Sequence, residues 1–319
     1  MIRTILVPLD GSAFGEHALA PALGIARRVG AMLRFAVVYE PAVPLPPVTP
    51  TPVLLDPMPT VPPPDPRLDE ELRAQRKSYL ASVPERVAGD GGVHVTTALL
   101  EGAVSDALVT HAEEIGADLV VMTTHGRGGL SRLWLGSVAE DVIRGVTRPV
   151  LLVRPGDAPS QSMAGPVTPR GFARVLVALD GSSLAETVLE PTMEAVGTQA
   201  EWVLMRVVEP ITAISLASFG GVAGIAPDRL EQHLGNVGHY LEAVAASLRA
   251  SGLTVRTHAV VHTQPARAIL EYSREIAADL VALATHGRSG LRRLVMGSVA
   301  DKVLRGGESA TLLYRPPAE

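Results

Sequence analysis

The chain has no cysteine, which excludes disulfides, thiolate metal sites and cysteine nucleophiles. Aromatic residues make up only 3% of it, while 47% is apolar. Its core must therefore be built from Val, Leu, Ile and Ala, the composition of buried parallel sheets flanked by helices. Excess positive charge is missing too: the net charge is −5, and arginines are scattered without interleaved aromatics. That excludes the electrostatic footprint of a nucleic-acid binder. No uninterrupted apolar run reaches the roughly 18 residues of a membrane span. The opening MIRTILVPLDGS lacks the apolar h-region of a signal peptide and reads as a core strand. A soluble, cytoplasmic protein is the expectation.

At 319 residues the chain has the length of two ordinary domains, and it repeats itself. Residues 3–12, RTILVPLDGS, align with residues 173–182, ARVLVALDGS. Residues 123–145 align with residues 284–306, where 15 of 23 positions are identical. Agreement at both ends of each half marks a duplication. Residues 1–155 are read as the first domain, 156–171 as a small, polar, Pro- and Gly-bearing linker, and 172–319 as the second domain. Within the first, residues 41–66 carry 12 prolines, which bias the backbone to extended polyproline geometry and keep it out of the core. Residues 210–228, the matching stretch, are Gly- and Ala-rich instead. Each is either a surface insertion or a lid or partner-docking arm.

Short apolar runs bounded by Gly and Ser alternate in each half with segments whose apolar residues recur at three- and four-residue spacing. Ser12 and Ser182 are placed to cap the first helix of each half. Pro21 and Pro191 fall at matching points of those helices, suggesting an inherited kink. Strands alternating with helices give two tandem Rossmann-like α/β domains, each a five-stranded parallel sheet with helices on both faces.

Ligands of such sheets bind beyond the carboxyl ends of the strands, where the strand order reverses. Asp10 and Asp180 end the first strand of each half. Such a carboxylate accepts hydrogen bonds either from ribose hydroxyls or from backbone amides in an Asp-Gly turn. After the fourth strand, Gly126 is followed, with nine residues between, by Gly136 and Ser137, and Gly287 likewise by Gly297 and Ser298. Glycines let a phosphate approach the backbone, and Gly-Ser at a helix start offers amides, a hydroxyl and the positive end of the dipole. His125, Arg127, His286 and Arg288 sit inside these loops, either to steady a polyphosphate or as a strand cap and a solvated cation. Arg132 and Arg293, repeated likewise, either reach the same phosphates or make helix-surface ion pairs. Catalytic signatures are absent: the Asp-Gly-Ser turns lack the glycine pattern of a serine-hydrolase elbow, and no histidines fall at metal-ligand spacing.

LVPLDGS opening a domain and THGRGGLSRLWLGSVAEDVIR closing it resemble the universal stress protein family across both halves. The resemblance implies an adenine nucleotide alpha hydrolase-like fold. In ATP-binding members it implies a pattern of Gly, two residues, Gly, nine residues, then Gly with Ser or Thr. This chain departs from it at the first position, with Thr123 and Ala284. Carried over, Asp10 and Asp180 meet the ribose and Val37 and Val207 the adenine through their backbones. Gly126, Gly136, Ser137, Gly287, Gly297 and Ser298 surround the phosphates. The function implied is regulatory binding of ATP or another adenine nucleotide with Mg²⁺ in the stress response, with at most slow hydrolysis or autophosphorylation. The alternative is an interaction protein with decayed clefts, acting through its paired domains and proline-rich arm. Family members pair their last strands, so VLLVRP and TLLYRP are expected to pair inside one chain, with a homodimer as a further possibility.

Overall fold

The computed structural model describes residues 1–41, 66–88, 92–124, 135–154, 165–210, 227–285 and 296–316. In the first half the strands are β1 (Thr4–Leu9), β2 (Met32–Tyr39), β3 (Val95–Glu101), β4 (Leu119–Thr123) and β5 (Val150–Val153). Between them run α1 (Leu19–Val29), α2 (Pro66–Ala88), α3 (Val104–Glu114) and α4 (Ser137–Gly145), and a 3₁₀ turn at Gly15–Ala18 precedes α1. The second half supplies β6 (Arg174–Ala178), β7 (Glu201–Val208), β8 (Thr254–Val261), β9 (Leu280–Ala284) and β10 (Ala310–Tyr314). Its helices are α5 (Ser183–Glu186), α6 (Leu189–Val196), α7 (Pro227–Ala250), α8 (Pro265–Glu275) and α9 (Ser298–Gly306).

All ten strands join one sheet, in the order β3-β2-β1-β4-β5-β10-β9-β6-β7-β8. Every pairing within a half is parallel. The one antiparallel pairing is the seam, where Thr311 lies opposite Leu152, Leu312 opposite Leu151 and Leu313 opposite Val150. The last strands thus meet inside one chain, and each covers an edge that would otherwise invite association. Because side chains alternate along a strand, Leu151 and Leu312 enter the core on one face while Leu152 and Leu313 enter the other. The first core is covered by α1, α2, α6 and α7, the second by α3, α4, α8 and α9. Both cores hold residues from both halves, and each fully buried aliphatic side chain contributes roughly 1.5–3 kcal/mol.

The expected kinked first helix is instead interrupted. Pro21 and Pro191 occupy the third residue of α1 and of α6, helices that restart after a short preceding turn. Amides in a first turn have no intrahelical partner, so a proline there gives up no hydrogen bond. The second part of the expected linker lies against the first half. The Val167 amide donates to the Arg86 carbonyl and the Arg170 amide to the Ala20 carbonyl, both at 2.9 Å. A Cβ on Gly24 would stand 2.2 Å from the Arg170 carbonyl oxygen, so α1 admits that strand of chain only over a glycine.

Candidate functional site

Strand order reverses between β1 and β4 in the first half and between β6 and β9 in the second, so each half has a crevice at the carboxyl ends of those strands. Asp10 and Asp180 stand at its edge, each locked in the same turn. Asp10 Oδ1 accepts the Ser12 amide at 2.9 Å and the Ser12 hydroxyl at 2.7 Å. Asp180 Oδ1 accepts the Ser182 amide at 2.9 Å and hydroxyl at 2.6 Å. The same hydroxyls accept the amides of Gly15 at 3.0 Å and Ala185 at 3.1 Å, starting the next turn. Gly11 and Gly181, with φ of +77° and +85°, take the left-handed conformation that the Asp-Gly-Ser reversal requires.

The glycine of each Gly-Ser pair has a structural task that the sequence reading assigned to a ligand. Gly136 donates its amide to the Thr124 carbonyl at 2.8 Å, and Gly297 donates to that of Thr285 at 2.6 Å. A Cβ on Gly297 would lie 2.9 Å from the same Thr285 oxygen, so glycine lets the helix start approach the strand end. Neither glycine amide is therefore spare for a phosphate. No side chain among the described residues caps α4 or α9, which leaves the amides at the start of the first turn directed out of the helix.

In the second half, Asp180, Val207, Ala284, Gly297 and Ser298 all line one cavity of about 540 Å³, together with Arg206 and Thr285. Residues that lie between 180 and 298 in sequence are thus brought to one place. In the first half Thr123 closes β4, nearly buried, and Ser137 opens α4. Gly126, Arg127, Gly287 and Arg288, like His125, His286, Arg132 and Arg293, lie outside the described residues.

Val37 and Val207 are not register equivalents. On β2, Val37 pairs with Leu9 of β1; on β7, Met205 pairs with Ala178 of β6, which carries Val207 two residues further, level with Asp180. The equivalent of Val37 is Arg206, and that of Val207 is Val38. Accordingly Val37 is fully buried in the first core, whereas Val38 and Val207 both pack at the edge of the second.

Arg206 is the site residue that sequence reasoning missed. It is buried, its guanidinium carbon lies 5.1 Å from the Tyr240 ring centroid, and a Cβ on Gly181 would meet it at 2.4 Å. Tyr240 in turn donates to Glu186 Oε1 at 2.9 Å; burial, then this carboxylate, push its phenol up. Tyr79 donates likewise to Glu16 Oε1 at 3.0 Å. The signal was present for these pairs, since Glu16 and Glu186 each follow the aspartate by six residues. Among the described residues no three His, Asp or Glu side chains gather to hold a metal, and no helix is long and apolar enough to cross a membrane.

Two doubly wound, Rossmann-like units with matching crevices, fused through their last strands, define a tandem α/β protein. The universal stress protein family model matches residues 1–154 and 171–315, and the chain belongs to that family. A universal stress protein of Methanocaldococcus jannaschii is 33% identical over 156 residues, covering 48% of this chain and 83% of that protein. One from Mycobacterium tuberculosis is 27% identical over 234 residues, 72% of each chain. Among solved structures, a universal stress protein from Archaeoglobus fulgidus superposes with a TM-score of 0.64 at 19% identity, covering 98% of this chain and 96% of that one.

Proposed function

We propose that this universal stress protein is a regulatory binder of adenine nucleotide, ATP with Mg²⁺ by preference, with one cleft in each half. The observation that carries the reading is the single cavity that collects Asp180, Val207, Ala284, Gly297 and Ser298. Its volume of about 540 Å³ lies within the range of roughly 300–1,000 Å³ for small-molecule pockets. The residues present fit the ligand: a carboxylate for ribose hydroxyls, an open strand end for the base edge, and an uncapped helix start for phosphate. Each such helix end favours an anion by about 0.3–1 kcal/mol. Asp10, Val38, Thr123, Gly136 and Ser137 do the same work in the first half, with Val38 in the place first given to Val37. Gly126, Arg127, Gly287 and Arg288 complete the phosphate loops. Thr123 and Ala284 are small enough to leave the crevice open despite the missing glycine.

Mg²⁺ is held chiefly by the phosphates, as is usual for this ion. Regulatory binding, with at most slow hydrolysis or autophosphorylation, is the function, exerted in the cytoplasm through ligand-dependent affinity for partners. The units are residues 1–155 and 172–319, joined by 156–171. Isothermal titration with Mg²⁺ and ATP tests the assignment: Asp180→Ala is expected to remove one of two binding events and Asp10→Ala the other. Titrations unchanged by both substitutions would contradict it.

A further inference from the structure

From the second-half cleft a groove of about 470 Å³ runs on between α8 and α9, and the two share Glu209, Pro265, Ser298 and Val299 in their walls. Ser298 and Lys302 both line this groove. They stand four residues apart and so lie on one face of α9, about 6 Å along its axis. From α8, Arg267 and Arg274 complete a basic wall, with Glu209 and Glu271 as its acidic members. Arg267 is paired with Glu271 at 2.7 Å and Arg274 with Glu308 at 3.1 Å.

The first half has a groove between the matching helices, where aspartates stand at two of the cationic positions and Arg144 is the basic member of the lining. Helices α3 and α4 match α8 and α9 residue for residue, at a constant offset in numbering, since Val104 and Ser137 open the first pair and Pro265 and Ser298 the second. Asp106 stands where Arg267 does, and Asp141 where Lys302 does. Both aspartates line the first groove, a cavity of about 550 Å³. Two facing positions on two separate helices have therefore changed sign together, and all four side chains are exposed. Packing does not require any of these choices.

We infer that the two clefts are not equivalent: the second accepts an adenine nucleotide whose anionic chain extends past the helix start toward Lys302 and Arg267, and the first rejects that extension. This rests on the nucleotide reading above. A chain ending at Ser137 or Ser298 meets a helix start without a side-chain cap in both halves. One more phosphate brings a dianionic group beside an ammonium and a guanidinium in the second half, and beside two carboxylates in the first.

The probes are ATP and adenosine 5′-tetraphosphate, titrated calorimetrically into the full chain with Mg²⁺. The tetraphosphate is expected to bind one cleft about 3- to 10-fold more tightly than ATP does, and the other more weakly than ATP does. Lys302→Asp with Arg267→Asp should abolish the tight event while leaving ATP affinity within about twofold. Asp106→Arg with Asp141→Lys should convert the weak event into a second tight one, a gain that impaired folding could not produce. Equal affinities for the two ligands in the unaltered chain, or a preference that survives Lys302→Asp with Arg267→Asp, would overturn this inference while leaving the nucleotide reading intact. Binding of neither ligand would overturn both.

Discussion

Arg86 holds Glu16 through both terminal nitrogens, at 2.8 and 2.7 Å, with the two side chains only 10% and 4% exposed. Tyr79 donates to the same carboxylate, so α2 is fastened to the turn that follows Asp10. The second half keeps the tyrosine and the glutamate as Tyr240 and Glu186, but Ser247 occupies the position of Arg86.

The two glutamates should therefore differ in their contribution to stability. Glu16→Ala strands a buried guanidinium, and a loss of about 3 kcal/mol or more is expected. Glu186→Ala strands only a phenol hydroxyl and is expected to cost about 1–2 kcal/mol. Urea unfolding of both variants checks this; equal losses would show that the Arg86 pair contributes nothing of its own.

Continuity of the sheet across β5 and β10 makes a second expectation. Each core contains side chains from both halves, and Arg305 reaches Glu140 across the seam at 3.6 Å. Arg28 adds a bond from α1 to the Glu194 carbonyl of α6 at 2.5 Å. Scanning calorimetry should accordingly show one endotherm, with the halves melting together. Leu312→Asp, a charge placed in the fully buried seam, should lower that single transition by about 6 °C or more through a loss above about 4 kcal/mol. Two resolved endotherms in the unaltered chain would contradict the coupling.

Acid should destabilise the protein through histidine. Burial, then the Arg34 guanidinium, hold the His111 imidazole below its ordinary 6.5, and Arg34 Nε donates to its Nε2 at 3.2 Å. Burial also lowers His258, which stacks on Tyr272 with centroids 3.8 Å apart. Between the depressed folded values and 6.5 the unfolded chain binds more protons, so stability falls as pH drops below about 6.5. The loss levels off beneath the folded values. Melting temperatures from pH 7.5 to 5 should show this slope, and His111→Gln with His258→Gln should flatten it. A slope unchanged in that double variant would assign the effect elsewhere.

Composition and local pattern revealed the strands, the duplication and the Asp-Gly-Ser turns, because those features are written in contiguous residues. What stayed hidden depended on contacts across the chain. The one-residue offset that puts Arg206 where Val37 stands is fixed by strand register, and its one mark in the sequence is the Glu-Pro that follows FAVVY and LMRVV alike. Pro21 and Pro191 looked like interior kinks because nothing in the sequence announces that the helices restart just before them. The amides of Gly136 and Gly297 looked available until Thr124 and Thr285 were seen to accept them. Arg86 and Glu16, 70 residues apart, carry no local signal at all.

Both clefts are proposed to hold ATP. Equilibrium dialysis of the full chain, stripped of carried-over nucleotide and held with Mg²⁺ and labelled ATP, tests it most directly. Binding that saturates near two ATP per chain is expected, falling near zero in Asp10→Ala with Asp180→Ala. No retained label at millimolar ATP would contradict the account.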